Sequence, residues 1–168
     1  MSVVVTGASG HVGGNLVRAL LEEGRKVRVL VREDTRALDG LDVEKFVGDV
    51  RDRESLDRAF AGAELVFHLA AKISIVGPMG GLVEATNVDG VQNVAHACAA
   101  AGVKRLVHFA SIHAFEQLPL DETLDETRAL VTPPAPSYDV TKAEGIRVVL
   151  RAVEEGLDAV VVCPTAVL

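Results

Sequence analysis

The stretch SYDVTK, residues 137–142, places a phenol and an ammonium group one helical turn apart. Tyr138 is the only tyrosine in a 168-residue chain with 4% aromatic residues, and Lys142 follows four positions later. Side chains at i and i+4 share a helix face, so a helix here would hold the two as one unit. A free phenol titrates near about 10 and is a poor base at neutral pH. A neighbouring ammonium favours the phenolate by Coulomb attraction, drawing the tyrosine toward the range where it can exchange a proton with a reacting group. On a solvated face the same pair would be only a surface contact, so its surroundings decide what it does.

A second group of residues supplies such surroundings. TGASGHVG, residues 6–13, spaces Gly7, Gly10 and Gly13 by three, directly after Val3, Val4 and Val5 and at the start of an amphipathic pattern. Glycines so placed permit a tight turn, a close backbone approach to a pyrophosphate and close helix-on-strand contact, while the helix N-terminus favours an anion. This strand–turn–helix context is the one a dinucleotide site needs; a purely structural glycine turn is the alternative. The next apolar run ends at Arg32, whose planar guanidinium suits the 2′-phosphate of NADP. Glu33 and Asp34 could instead meet the ribose hydroxyls of NAD, or all three could form a solvated loop.

Such groups need a scaffold. Short β-branched runs recur at 3–5, 27–31, 43–47, 65–69, 106–109 and 159–162, most of them apolar on both faces, as parallel strands covered by helices are. Helical patterns lie between them: Val12, Leu16 and Leu20 before Gly24; Leu56, Ala59 and Phe60 before Gly62; 83–101 before Gly102; and 140–155 before Gly156, with Ser137 as a candidate N-cap. The alternation predicts one α/β domain over residues 1–168, a doubly wound parallel sheet with right-handed crossovers.

Length and composition narrow the function classes. A chain of 168 residues, 49% hydrophobic, buries one full core. A net charge of -7 with scattered Lys and Arg argues against nucleic-acid or anionic-membrane partners. Cys98 and Cys163 lie far apart in apolar surroundings and read as reduced core thiols. The histidines, His11, His68, His96, His108 and His113, show no metal-ligand spacing, so no metal site is expected; His68 and His108 fall in strand patterns and read as core. No basic segment precedes a long apolar run, and no run approaches the roughly 20 residues of a membrane span, so a cytoplasmic protein is expected.

TGASGHVG, GDVRD at 48–52, FHLAA at 67–71, TNVDG at 86–90, HFASIHAF at 108–115 and YDVTK at 138–142 occur in one order over nearly the whole chain. Together they resemble the extended short-chain dehydrogenase/reductase superfamily of the NAD-dependent epimerase/dehydratase type. VRVLVRED, FHLAAKIS and AGVKRLVHFAS are most similar to its dihydroflavonol-4-reductase-like members. The resemblance implies a Rossmann sheet in the order 3-2-1-4-5-6. It implies cofactor contacts from Ser9, His11 and Val12 with the three glycines and Arg32, from Asp49 and Val50 beside the adenine, from Leu69, Ala70, Ala71 and Lys72 beneath the cofactor, and from Pro164. It implies a catalytic Ser111, Tyr138 and Lys142: the serine bonds the substrate oxygen, the tyrosine moves the proton, and the lysine also bonds the nicotinamide ribose. Asn87 is then a candidate for orienting the site, although an asparagine near a helix can serve only local hydrogen bonding, and His113 for touching substrate.

The expected function is hydride transfer between a nicotinamide cofactor, NADP ahead of NAD, and a carbonyl or alcohol carbon of a small molecule. A nucleotide-sugar epimerase or dehydratase, or a noncatalytic NADP-binding protein, are the alternatives, and a homodimer is left open. Ala110 and Thr141 stand where many relatives have Ser or Thr and Ser, respectively. After CPTAVL, residues 163–168, relatives continue into a C-terminal substrate lobe. The chain is therefore expected to lack most of its substrate pocket and, alone, to bind cofactor but turn over little.

Overall fold

A computed structural model describes residues 2–74, 76–165 and 167. Six strands, β1 (Ser2–Thr6), β2 (Lys26–Val31), β3 (Glu44–Val47), β4 (Leu65–His68), β5 (Arg105–Phe109) and β6 (Ala159–Val162), form one parallel sheet in the order β3-β2-β1-β4-β5-β6. The doubly wound order read from the sequence is the observed one. Helices α1 (His11–Glu22), α2 (Arg53–Phe60), α3 (Leu82–Glu84), α4 (Gly90–Ala101) and α5 (Ser137–Glu154) connect the strands, and a π turn at Ala85–Asp89 joins α3 to α4.

Alternate residues of the central strands feed two separate cores, because successive side chains of a strand point to opposite faces. Val3, Val5 and Val29 pack with Val17 and Leu20 of α1 and with Leu38. Val4, Leu30, Val66 and Leu106 pack with Leu56 and Phe60 of α2 and with Val94 and Cys98 of α4. With both faces covered, Val3, Val4 and Val5 are all fully buried, which is why β1 reads as a continuous apolar run. Cover thins at the margins, where Val47 of β3 is 74% and Val160 of β6 is 44% exposed. The expectation of strands apolar on both faces thus holds at the centre and fails at the edges.

The predicted glycine stops end their helices: Gly24, Gly62, Gly102 and Gly156 all take positive φ. One helix start differs. α5 opens at Ser137, after Pro136, whose carbonyl accepts from the Val140 N–H at 3.0 Å, and no side chain caps the helix. Ser137 is therefore its first residue and not its cap, because the extended backbone at Pro136 sets the boundary one position earlier.

The chain leaves β1 toward β2 on one side and returns through β4 on the other. That reversal opens a crevice at the C-terminal ends of β1 and β4, where ligands of open α/β sheets are held. Among the described residues no helix is long and apolar enough to cross a membrane.

Candidate active site and cofactor cleft

The turn from β1 into α1 is built backbone against backbone. Gly7 has φ +73°, and a Cβ there would lie 2.6 Å from the Ala70 nitrogen; a Cβ on Gly13 would lie 2.2 Å from the Gly7 oxygen. The Gly10 N–H donates to the Gly7 carbonyl at 3.0 Å, closing the turn. Gly10 caps α1 without a side-chain acceptor, and no acidic residue stands in the first turn, so the positive end of the helix meets the crevice without a competing charge. Gly13→Ala is expected to push Gly7 aside, destabilise the fold by about 1–3 kcal/mol and abolish dinucleotide binding. Gly14→Ala, whose Cβ would meet nearest the tip of Arg18 at 3.2 Å, is expected to leave both intact. Melting curves and cofactor titration of the two variants check this contrast.

One cleft is lined by Gly7, Ser9 and Gly10, by Arg32, by Asp49 and Val50, and by Leu69, Ala70, Ala71 and Lys72. The structure thus brings most of the residues read from the sequence to one place. His11, Val12 and Gly13 stand behind it in α1, and Pro164 stands beyond β6, its carbonyl accepting from Ile112 N–H at 3.2 Å. Thr6, Leu30, Val31, Gly48, Leu82 and Thr86 also line the cleft and were not singled out by the sequence. Thr6, Gly48 and Thr86 could have been, since each is the first residue of a quoted motif. Gly48 is required there, because a Cβ would lie 2.4 Å from that of Ser55. Among the described residues the Arg32 side chain makes no hydrogen bond or ion pair; it acts on Asp49 only through space.

Ser111 follows β5, and Tyr138 and Lys142 share one face of α5. The Ser111 hydroxyl stands close enough to the Tyr138 phenol to favour its charged form, and Ser111 Oγ accepts from His113 N–H at 3.2 Å. Lys142 is 5% exposed and its Nζ donates to the Phe109 carbonyl at 2.8 Å. Burial pulls the Lys142 ammonium down to about 8. The sequence expectation for the phenol is corrected here: burial holds Tyr138 above its ordinary value, the Ser111 hydroxyl pulls the other way and Asp139 adds to the rise, and Lys142 is not among the groups that set it.

Asn87, buried in the π turn, ties the exit of β4 to α5. Its Oδ1 accepts from Lys72 N–H at 2.7 Å, and its Nδ2 donates to the Lys72 carbonyl at 3.0 Å and to Thr141 Oγ1 at 3.1 Å. Such wide turns recur at functional sites, where they redirect a side chain. His113 is exposed, with Nδ1 3.9 Å from Asp139 Oδ1. Cys98 is a core thiol, pushed up to about 12 by burial. Cys163 is not, contrary to the sequence reading: it is only half-buried, with the Ser111 backbone and Lys142 near enough to act on its thiol. His68 and His108 are buried and stacked at 5.2 Å, and His68 Nδ1 lies 2.7 Å from Thr6 Oγ1.

The family model for the NAD dependent epimerase/dehydratase family matches residues 3–168. The chain is 39% identical to sterol demethylase protein B of Methylococcus capsulatus, over 99% of this chain and 52% of that protein. It is 34% identical to "Putative dihydroflavonol 4-reductase" of Synechocystis, over 96% of this chain and 48% of that protein. Among solved structures, the UDP-glucose 4-epimerase of Thermus thermophilus in complex with NAD superposes with a TM-score of 0.85 at 30% identity, over 97% of this chain and 54% of that one. The chain spans about half the length of these relatives.

Proposed function

Because this chain belongs to the NAD-dependent epimerase/dehydratase family, we propose that it carries the cofactor cleft and proton-transferring groups of an NAD(P)-dependent oxidoreductase similar to dihydroflavonol reductases, acting on a small-molecule carbonyl or alcohol. The observation that carries this reading is the placement of Ser111 against the half-buried Tyr138 phenol, with the buried Lys142 one turn on. The residues fit a dinucleotide: a Cβ at Gly7 or Gly13 would collide, and the α1 N-terminus faces the same cradle. When bound, the nicotinamide supplies or accepts the hydride. Ser111 holds the substrate oxygen. Tyr138, kept protonated at neutral pH by burial, delivers its proton to that oxygen as the carbon is reduced, and the phenolate is then reprotonated from solvent. Lys142 would hold the nicotinamide ribose with its ammonium group.

NADP is read ahead of NAD, because Arg32 lines the cleft with its guanidinium uncommitted. In the full-length protein, Arg32→Ala is expected to weaken NADPH about tenfold or more and leave NADH unchanged, as the loss of a charge-assisted bond predicts. Calorimetry reads this directly; equal affinities in the unmodified protein, or tighter NADH, overturn the NADP reading. A second reading, nucleotide-sugar epimerisation by the same groups, is favoured by the likeness to the Thermus enzyme. Reduction consumes reduced nicotinamide in proportion to product, whereas epimerisation consumes none, and product analysis with both substrate classes separates them.

A further inference from the structure

Four carboxylates, Glu33, Asp34, Asp49 and Asp52, line the rim beside Arg32, and two of them are chelated in the same way. Asp34 takes Arg36 Nε at 3.0 Å on one oxygen and Arg36 Nη2 at 2.7 Å on the other, with Arg36 N–H at 3.1 Å. Asp49 takes Arg51 Nε and Nη2 at 2.9 Å each, with Arg51 N–H also at 2.9 Å. Both are Asp-x-Arg units, and Asp34, Asp49 and Arg51 line one depression with Ser9 and Arg32 at the open end of the cleft. Bidentate pairing of this kind fixes geometry as well as charge.

We propose that Arg36 and Arg51 are specificity-determining residues: each cancels one of the rim carboxylates that would repel a 2′-phosphate approaching Arg32. This rests on the NADP reading above. A phosphate dianion approaching Arg32 would otherwise meet Asp34 and Asp49 as bare anions, and like charges a few ångströms apart offset what one guanidinium offers. An ordinary surface ion pair contributes little to stability, so the role lies in recognition and not in holding the fold. Both pairs are exposed, so the effect must weaken as salt screens it.

The test uses 2′,5′-ADP and 5′-AMP, which differ only in the 2′-phosphate, titrated into the full-length protein by calorimetry. Arg36→Gln and Arg51→Gln are each expected to weaken 2′,5′-ADP about three- to tenfold at low salt and less at high salt, with 5′-AMP unchanged. The double substitution Asp34→Asn with Arg36→Gln, which removes both charges, is expected to return 2′,5′-ADP binding to within about twofold of the unmodified protein. If that double variant stays as weak as Arg36→Gln, the arginine contacts phosphate itself and the cancelling role is overturned. Unchanged binding in both single variants overturns the proposal as well. A starting protein that binds 5′-AMP as tightly as 2′,5′-ADP overturns the NADP reading instead, before any variant is made.

Discussion

Replacing Tyr138 with phenylalanine in the full-length enzyme is expected to slow turnover by about 10²–10⁴ while leaving cofactor affinity nearly intact, the scale of a lost general acid. The phenol is half-buried and held above its ordinary value mainly by burial, so at neutral pH it arrives protonated, and phenylalanine keeps its packing without its proton. No other tyrosine in this chain could take its place. Lys142→Ala is expected to weaken cofactor binding and to change the pH profile. With the ammonium near 8, activity that depends on it is full below that value and declines as pH rises through it; the variant should lose that decline along with most of its rate. Steady-state kinetics from pH 6 to 10 check both, and wild-type turnover by Tyr138→Phe would remove the phenol from the mechanism.

Acid is expected to destabilise the fold well before its carboxylates protonate. His68 and His108 are buried side by side; burial, with Lys142 adding repulsion, holds His68 at about 3, and burial with His68 and Lys142 holds His108 well below 6.5. In the unfolded chain both imidazoles titrate near about 6.5. Below that value the unfolded state binds protons that the folded state refuses, so stability is greatest above about 6.5 and falls as pH drops. Over two pH units His68 alone is expected to cost about 2–3 kcal/mol, a large part of the 5–15 kcal/mol typical of a domain, and His108 acts in the same direction. The depressed carboxylates act later: Asp34, held at about 2 chiefly by its Arg36 hydrogen bonds, ordinarily titrates near 3.8. Urea titrations between pH 7 and about 5 read chiefly the histidine window. A stability flat across it would mean that the two imidazoles accept protons in the folded state.

The sequence by itself determined the scaffold and the addresses on it. Strand and helix periods are local properties of the backbone, so the apolar runs gave the six strands and their winding, and the glycines at 7, 10 and 13 marked the dinucleotide turn before any contact was known. What the residues do to one another was decided only when distant segments met. Lys142 reads in sequence as the partner of Tyr138, four positions away, yet its ammonium bonds the Phe109 carbonyl, 33 positions away. His68 and His108 read as unremarkable core residues, but their burial across adjacent strands β4 and β5 makes them the acid weak point. Cys163 reads as core and emerges beside Ser111, and Asn87 joins Lys72 to Thr141, 54 positions beyond it. Periodicity is written locally and survives in the chain alone, whereas desolvation and Coulomb terms depend on which groups share a volume, and that is settled only by the packed fold.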